Sequence, residues 1–309
     1  MTSLARFSRL DRREKSQFLV ACVVLAAVVC SLAAGAAARP SSSRSALHAG
    51  RHGILYRENW ENGRLDTTQW GAQCNNLTEP NFATRGSYTV QQTTVGQGRW
   101  AARFDLPADA TKPTACEVIH DRTLDLGRDD YYALALRFPK NWREPSGVFW
   151  GLVIAQFNYE GITGPPVGLA AHGNYVNVIV GSGFFDGVAT RWYTGNGIGR
   201  GNLPRLFAIP RPLKREVWHQ LVIHVRWSAG MDGEVDVKHR IRGQNRWKQT
   251  VRLRGVPTVQ WSRTRPALSA LGTTDKIGAY RAQSSFPISL VNDGFCRAGS
   301  FRAAERCLR

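Results

Sequence analysis

Residues 153–160 read VIAQFNYE, an apolar run of strand length broken by two amides, Gln156 and Asn158. In a strand, side chains two apart point to the same side of the sheet. Strict alternation puts Ile154, Gln156 and Asn158 on one face and Val153, Ala155, Phe157 and Tyr159 on the other. The second set is the better core face. The amides then sit side by side on the opposite surface, where a ligand or solvent meets them.

The same period of two recurs along the chain. In RWAARFDL, Trp100, Ala102, Phe104 and Leu106 alternate with more polar residues; in YYALALRF, Tyr132, Leu134, Leu136 and Phe138 do. HQLVIHVRW places Leu221, Ile223, Val225 and Trp227 together, and GEVDVKHRIR and WKQTVRLR continue the pattern. Gly and Pro clusters separate these runs. No amphipathic helix and no fixed repeat is evident in this region. The spacing predicts an all-β antiparallel sandwich over residues 54–309, a size that single β domains reach. Residues 39–53 (RPSSSRSALHAGRHG) read as a polar linker.

Before the linker, Arg6, Arg9, Arg12, Arg13 and Lys15 precede an apolar run over residues 18–38 that ends in small residues. This is the pattern of a signal peptide, or of an uncleaved membrane anchor, since about 20 apolar residues suffice to span a bilayer. On either reading residues 1–38 direct export as a helix, and the remainder is secreted or cell-surface. The membrane enters only through this segment.

The chain of 309 residues carries 41 basic and 23 acidic side chains; without residues 1–38, which hold five and two of them, the net charge is +15. A basic exported domain attracts polyanions such as acidic polysaccharide. No nucleic-acid recognition motif is present. Beyond the export segment four cysteines remain, Cys74, Cys116, Cys296 and Cys307. Four in an exported chain imply two disulfides with three possible pairings. Cys296 and Cys307 enclose a short loop, which favours Cys74–Cys116 and Cys296–Cys307. Their spacing is not that of zinc ligands.

Near the C-terminus, DKIGAYRAQ places Lys276, Gly278 and Tyr280 on one strand face. A Gly inside a strand often marks close approach of a ligand or of backbone. With ARFDL, ACEV, YYALALRFP, QFN, WHQLVIHVRWS and ISLVNDGFCRAGSF, this segment completes an ordered set. Together they resemble the jelly-roll polysaccharide lyases, the heparin lyase I, glucuronan lyase and alginate lyase relatives with a concanavalin A-like sandwich.

The resemblance implies a groove on the concave sheet in which a uronate chain is cleaved by β-elimination. Gln156 matches the residue that neutralises the uronate carboxylate, and Tyr280 the catalytic Tyr. Lys276 and Glu117 match further groove positions. Arg281, His224 and Arg226 are added as substrate contacts. Asn158 stands where relatives have His, and Ala115 where they have Arg. Asn158 cannot act as a base, so Tyr280 is expected to serve as base and acid, with Gln156 and Asn158 holding the carboxylate. His120 lies opposite Glu117 in an extended strand, and the sequence does not place His172. A monomer acting on acidic polysaccharide without cofactor is expected; calcium occurs in some relatives, but no ligand cluster demands it. A non-catalytic glycan-binding module on the same scaffold is the alternative. A glycoside hydrolase would need two carboxylates flanking the bond, and only Glu117 is well placed.

Overall fold

In the computed structural model, the described residues are 53–74, 84–123, 126–143, 151–159, 166–184, 191–194, 206–228, 230–261 and 272–309. They belong to one compact unit formed by Arg44–Glu160 and Pro165–Arg309. The export segment and most of the linker lie outside the described residues.

Two sheets face each other. The first runs β15 (Lys248–Arg254), β14 (Glu234–Ile241), β13 (Trp218–Arg226), β7 (Asp129–Arg137), β18 (Ile288–Ala298), β5 (Ala101–Leu106) and β4 (Ser87–Gln91), with β1 (Ile54–Glu58) also pairing with β18. The second runs β11 (Arg191–Thr194), β10 (Val176–Phe184), β9 (Val167–Ala171), β8 (Leu152–Tyr159), β17 (Gly272–Arg281), β6 (Thr114–Thr123) and β2 (Gly71–Ala72). Short strands β12 (Phe207–Ile209) and β16 (Gln260–Trp261) pair with β10, and β3 (Thr84–Arg85) with β6. Pairing is antiparallel except for β3–β6 and β10–β16.

The alternation read from sequence holds in the first sheet. Phe104, Leu106, Tyr132, Leu134, Leu136, Leu221, Ile223 and Val225 all enter the core between the sheets. Tyr132 of one sheet stacks on Phe157 of the other with centroids 4.2 Å apart, and Phe295 packs beside both. Burying each such ring contributes about 1.5–3 kcal/mol. Several polar groups carried into this interior are paired: Asp130 accepts from Trp227 Nε1 at 2.7 Å and from Arg297 at 2.6 Å, and Tyr56 donates to Asp275.

In β8 strict alternation fails. Leu152, Ile154, Ala155 and Phe157 face the core, whereas Val153 and Gln156 face the other way. Relative to β9, β8 has one extra residue between Val153 and Ala155. Such a bulge turns two successive side chains, Ile154 and Ala155, to the same side. The expected places of Val153 and Ile154 are thereby exchanged, while Gln156 keeps its face.

One short helix, α1 (Phe301–Arg306), was not evident in the sequence. Ser300 caps it by accepting from Ala303 N. Its Ala303 and Ala304 pack with Trp218, Val222, Ala133 and Ala135 on the outer face of the first sheet. The disulfide Cys296–Cys307 fastens its end to β18, and Cys74–Cys116 fastens β6 to the segment after β2. Both pairings agree with the reading from sequence.

Candidate functional site

The second sheet has a core face and an outer face. Cys116, Val118, Ile277 and Ala279 point inward. Their neighbours Ala115, Glu117, Lys276, Gly278 and Tyr280 therefore belong to the outer face. On it, the register places Tyr280 opposite Val153 on one side and Ala115 on the other. Lys276 lies opposite Gln156, and Gly278 opposite Glu117.

Gln156 Nε2 donates to Glu117 Oε1 at 2.6 Å. These residues sit on β8 and β6, with β17 between them, and Gly278 presents no side chain to separate them. Gly278 is required for a second reason. Its φ is +149°, and a Cβ there would lie 2.2 Å from the Cys116 carbonyl oxygen and 2.8 Å from Glu117 Cα. Close backbone approach, rather than open space for a ligand, is what this glycine serves.

Gln156 and Glu117 are both nearly buried, and Lys276 is half-buried. Burial pulls the Lys276 ammonium below its ordinary pKa, and the charges of Glu117 and Asp121 oppose that shift. Tyr280 packs against an apolar patch of Val153, Ala170 and Ile179. Beyond that patch on the same face lies Asn177, whose Nδ2 is 3.4 Å from His172 Nε2. The Tyr175 ring has the Arg211 guanidinium 4.3 Å from its centroid and stacks on the ring of His172. Gly151 makes room for it: a Cβ there would stand 3.1 Å from His172 Cε1. Asn177 escaped the sequence reading, although it carries the same signal as Gln156, an amide within the apolar run YVNVIV.

The structure thus places Gln156, Glu117, Lys276 and Tyr280 on one face of the second sheet. Asn158 lies in β8, but its side chain is outside the described residues. His120 faces away, stacked on Tyr56 at 3.8 Å between centroids. Three expected contacts are corrected. Arg281 is fully buried, donating to Thr114 Oγ1 at 3.2 Å and the Pro107 carbonyl at 2.6 Å. Burial brings its pKa down to about 10. As the residue after Tyr280, it points to the opposite side of β17. His224 and Arg226 belong to β13 in the first sheet and point to its outer face. There His224 is bonded to Asp129 at 2.8 Å and Asp236 at 3.4 Å, and Arg226 pairs with Asp129. His224, Glu234 and Asp236 hold their ligand atoms within 4.8 Å of one another. Arg254 occupies this cluster by pairing with both carboxylates.

Residues 59–289 match the sequence profile of the family described as polysaccharide lyase. The chain belongs to the polysaccharide lyase family. Among solved structures, this lyase-family chain is similar to an endo-β-1,4-glucuronan lyase from the fungus Trichoderma reesei. The TM-score is 0.57 and the identity 14%, covering 81% of this chain and 98% of that one. That likeness shows a shared jelly-roll fold. A cellulose-induced protein (12% identity, 79% and 97% covered, TM-score 0.47) and an alginate lyase solved with an alginate trisaccharide (13%, 78% and 96%, 0.41) are more distant. No curated protein sequence matches the chain.

Proposed function

We propose that residues 54–309 form an exported lyase domain that cleaves an acidic, uronate-containing polysaccharide by β-elimination on the face of Gln156 and Tyr280. Residues 1–38 serve export. Two disulfides fit an oxidising compartment outside the cytoplasm. The observation that carries the reading is the Gln156–Glu117 hydrogen bond, on the same face of the second sheet as Tyr280.

An amide nitrogen has two donors. Glu117 takes one and fixes the orientation of the group, so the second is available to a substrate carboxylate. Together with the Lys276 ammonium it stabilises the charge that builds up when the C5 proton leaves. Tyr280, as phenolate, takes that proton. The electron pair of the C5–H bond forms the C4–C5 double bond, and the C4–O4 bond breaks. The phenol so formed returns a proton to O4, and the phenolate is regenerated. Asn158 is the second amide assigned to the carboxylate.

A single phenol acting on both atoms requires the C5 hydrogen and O4 on the same side of the ring. Glucuronate and mannuronate meet that condition; their C5 epimers, iduronate and guluronate, do not. Size-defined polyglucuronate, polymannuronate and polyguluronate, followed by ultraviolet absorbance of the unsaturated product, test the proposal. The first two should be cleaved by wild type, and neither by Tyr280→Phe or Gln156→Ala of unchanged circular dichroism. No product from any uronate polymer with folded wild type rejects the reading.

A further inference from the structure

The candidate site does not account for the basic character of the chain. Among the described residues, its face sets Lys276 against Glu117, with Asp121 also acting on the lysine. The cations gather elsewhere. Segments 238–248 and 301–309 contain eight Lys and Arg side chains and a single carboxylate side chain, Glu305. Both segments lie at the outer face of the first sheet, one in β14, its turn and the start of β15, the other in α1 and the residues after it.

Between them is a pocket of about 390 Å³, lined by Gln220, Arg240, Arg242, Gln244, Asn245 and Arg309 among others. Its walls are held in place by their own bonds. Arg240 lies over the Trp247 ring, 4.2 Å from the centroid, and donates to Gln220 Oε1 at 2.7 Å and Glu305 Oε1 at 3.2 Å. Trp247 Nε1 donates to the same Glu305 oxygen at 3.0 Å. Gln220 Nε2 donates to the Leu308 carbonyl at 2.6 Å, and Cys296–Cys307 ties that segment down. Glu305 is thus engaged by its neighbours, while Arg242 of the pocket lining, and Arg246, Lys248, Arg302 and Arg306 of the same two segments, are exposed.

We infer that this pocket and its rim are a second binding site for acidic polysaccharide, separate from the lytic face. The partner rests on the function proposed above; the site rests on charge and shape. Guanidinium groups bind carboxylates in a bidentate fashion, and amides pair with sugar hydroxyls. A pre-ordered wall lowers the cost of binding. The site faces away from the groove, so it holds a different stretch of polymer from the one being cut. Binding at two places on one molecule raises local concentration without any new contact at the lytic face.

The test uses the full chain carrying Arg242→Glu, Arg246→Glu and Arg309→Glu. The control carries Arg57→Glu, Arg64→Glu and Arg99→Glu, also exposed and equal in charge change. Affinity for long polyglucuronate and its tetrasaccharide is measured in a Tyr280→Phe background, and turnover of both in the parent. The pocket triple should lose about tenfold or more in affinity for long polymer and raise its KM, with a weaker salt dependence. Tetrasaccharide turnover should stay within about twofold of wild type. Equal losses in both triples, or none in the pocket triple, overturn the inference. So does a loss confined to duplex DNA or anionic vesicles, which would make the partner another polyanion. Failure of the lytic reading shows separately, as absent turnover in wild type, while the binding measurements still report on the pocket.

Discussion

Gln156 and Glu117 are joined by a 2.6 Å hydrogen bond although neither belongs to the strand that runs between them. Removing the acceptor by Glu117→Ala leaves a nearly buried amide without its partner and removes a carboxylate that acts on Lys276. The expected loss is about 1–3 kcal/mol of stability in urea titration. Turnover should fall more than KM rises, because the amide loses its orientation. Glu117→Gln keeps an acceptor and should regain most of the stability. Identical unfolding midpoints for Ala, Gln and wild type would contradict this role.

Gly278→Ala forces a side chain against the backbone of β6. The new Cβ would lie 2.2 Å from the Cys116 oxygen, which side-chain rotation cannot relieve. A loss of about 2–4 kcal/mol is expected, together with separation of Gln156 from Glu117. Thermal unfolding and turnover measured on one preparation check both effects; a variant of native stability would show that β17 can move aside.

The two disulfides should differ in function more than in stability. Cys74–Cys116 closes a separation of 42 residues and Cys296–Cys307 one of 11, which on loop entropy alone stabilise by about 4 and 3 kcal/mol. Cys116 precedes Glu117 and abuts Gly278, so Cys74→Ser/Cys116→Ser should also depress turnover of a tetrasaccharide. Cys296→Ser/Cys307→Ser should leave that turnover near wild type. Loss of activity in the second variant while folded would count against this division.

Two histidine sites should respond to pH with opposite signs. His219 Nδ1 lies 3.0 Å from His239 Nε2. Burial, then the charges of His219 and Lys248, hold His239 down to about 3. A histidine lowered in the folded state favours unfolding as it gains a proton. Stability relative to His239→Gln should therefore fall as pH drops from about 6.5 towards 3. At His224, burial disfavours the charge, but Asp236 and Asp129 outweigh it and raise the pKa. Its contribution relative to His224→Gln should be full just below about 6.5 and vanish as pH rises through the raised value. Parallel trends in the two variants would refute the assignment.

The sandwich was legible because its strands alternate cleanly where both neighbours are regular, as in the Tyr132–Phe138 and Leu221–Trp227 runs. The disulfides followed from loop length. Gln156 and Tyr280 share a face, as the resemblance implied. Val153 and Ile154 did not follow it, because one extra residue opposite β9 leaves no mark on composition. His224, Arg226 and Arg281 were misplaced for another reason. Period two says which residues share a side of one strand, but not which sheet receives the strand or which side looks inward. Asp129 and Asp236, and Thr114 and the Pro107 carbonyl, decide those cases, and they are distant in sequence. The helix Phe301–Arg306 is too short to show a helical period.

β17 and β18, among the last segments of the sequence, occupy interior positions of the two sheets, β17 between β8 and β6 and β18 between β7 and β5. A nascent chain that has emerged only as far as β16 therefore owns four half-sheets with raw edges and no means of joining them. Productive folding must await nearly complete synthesis, which keeps the polypeptide threadable until late and makes any chain stopped before β17 a substrate for aggregation or proteolysis.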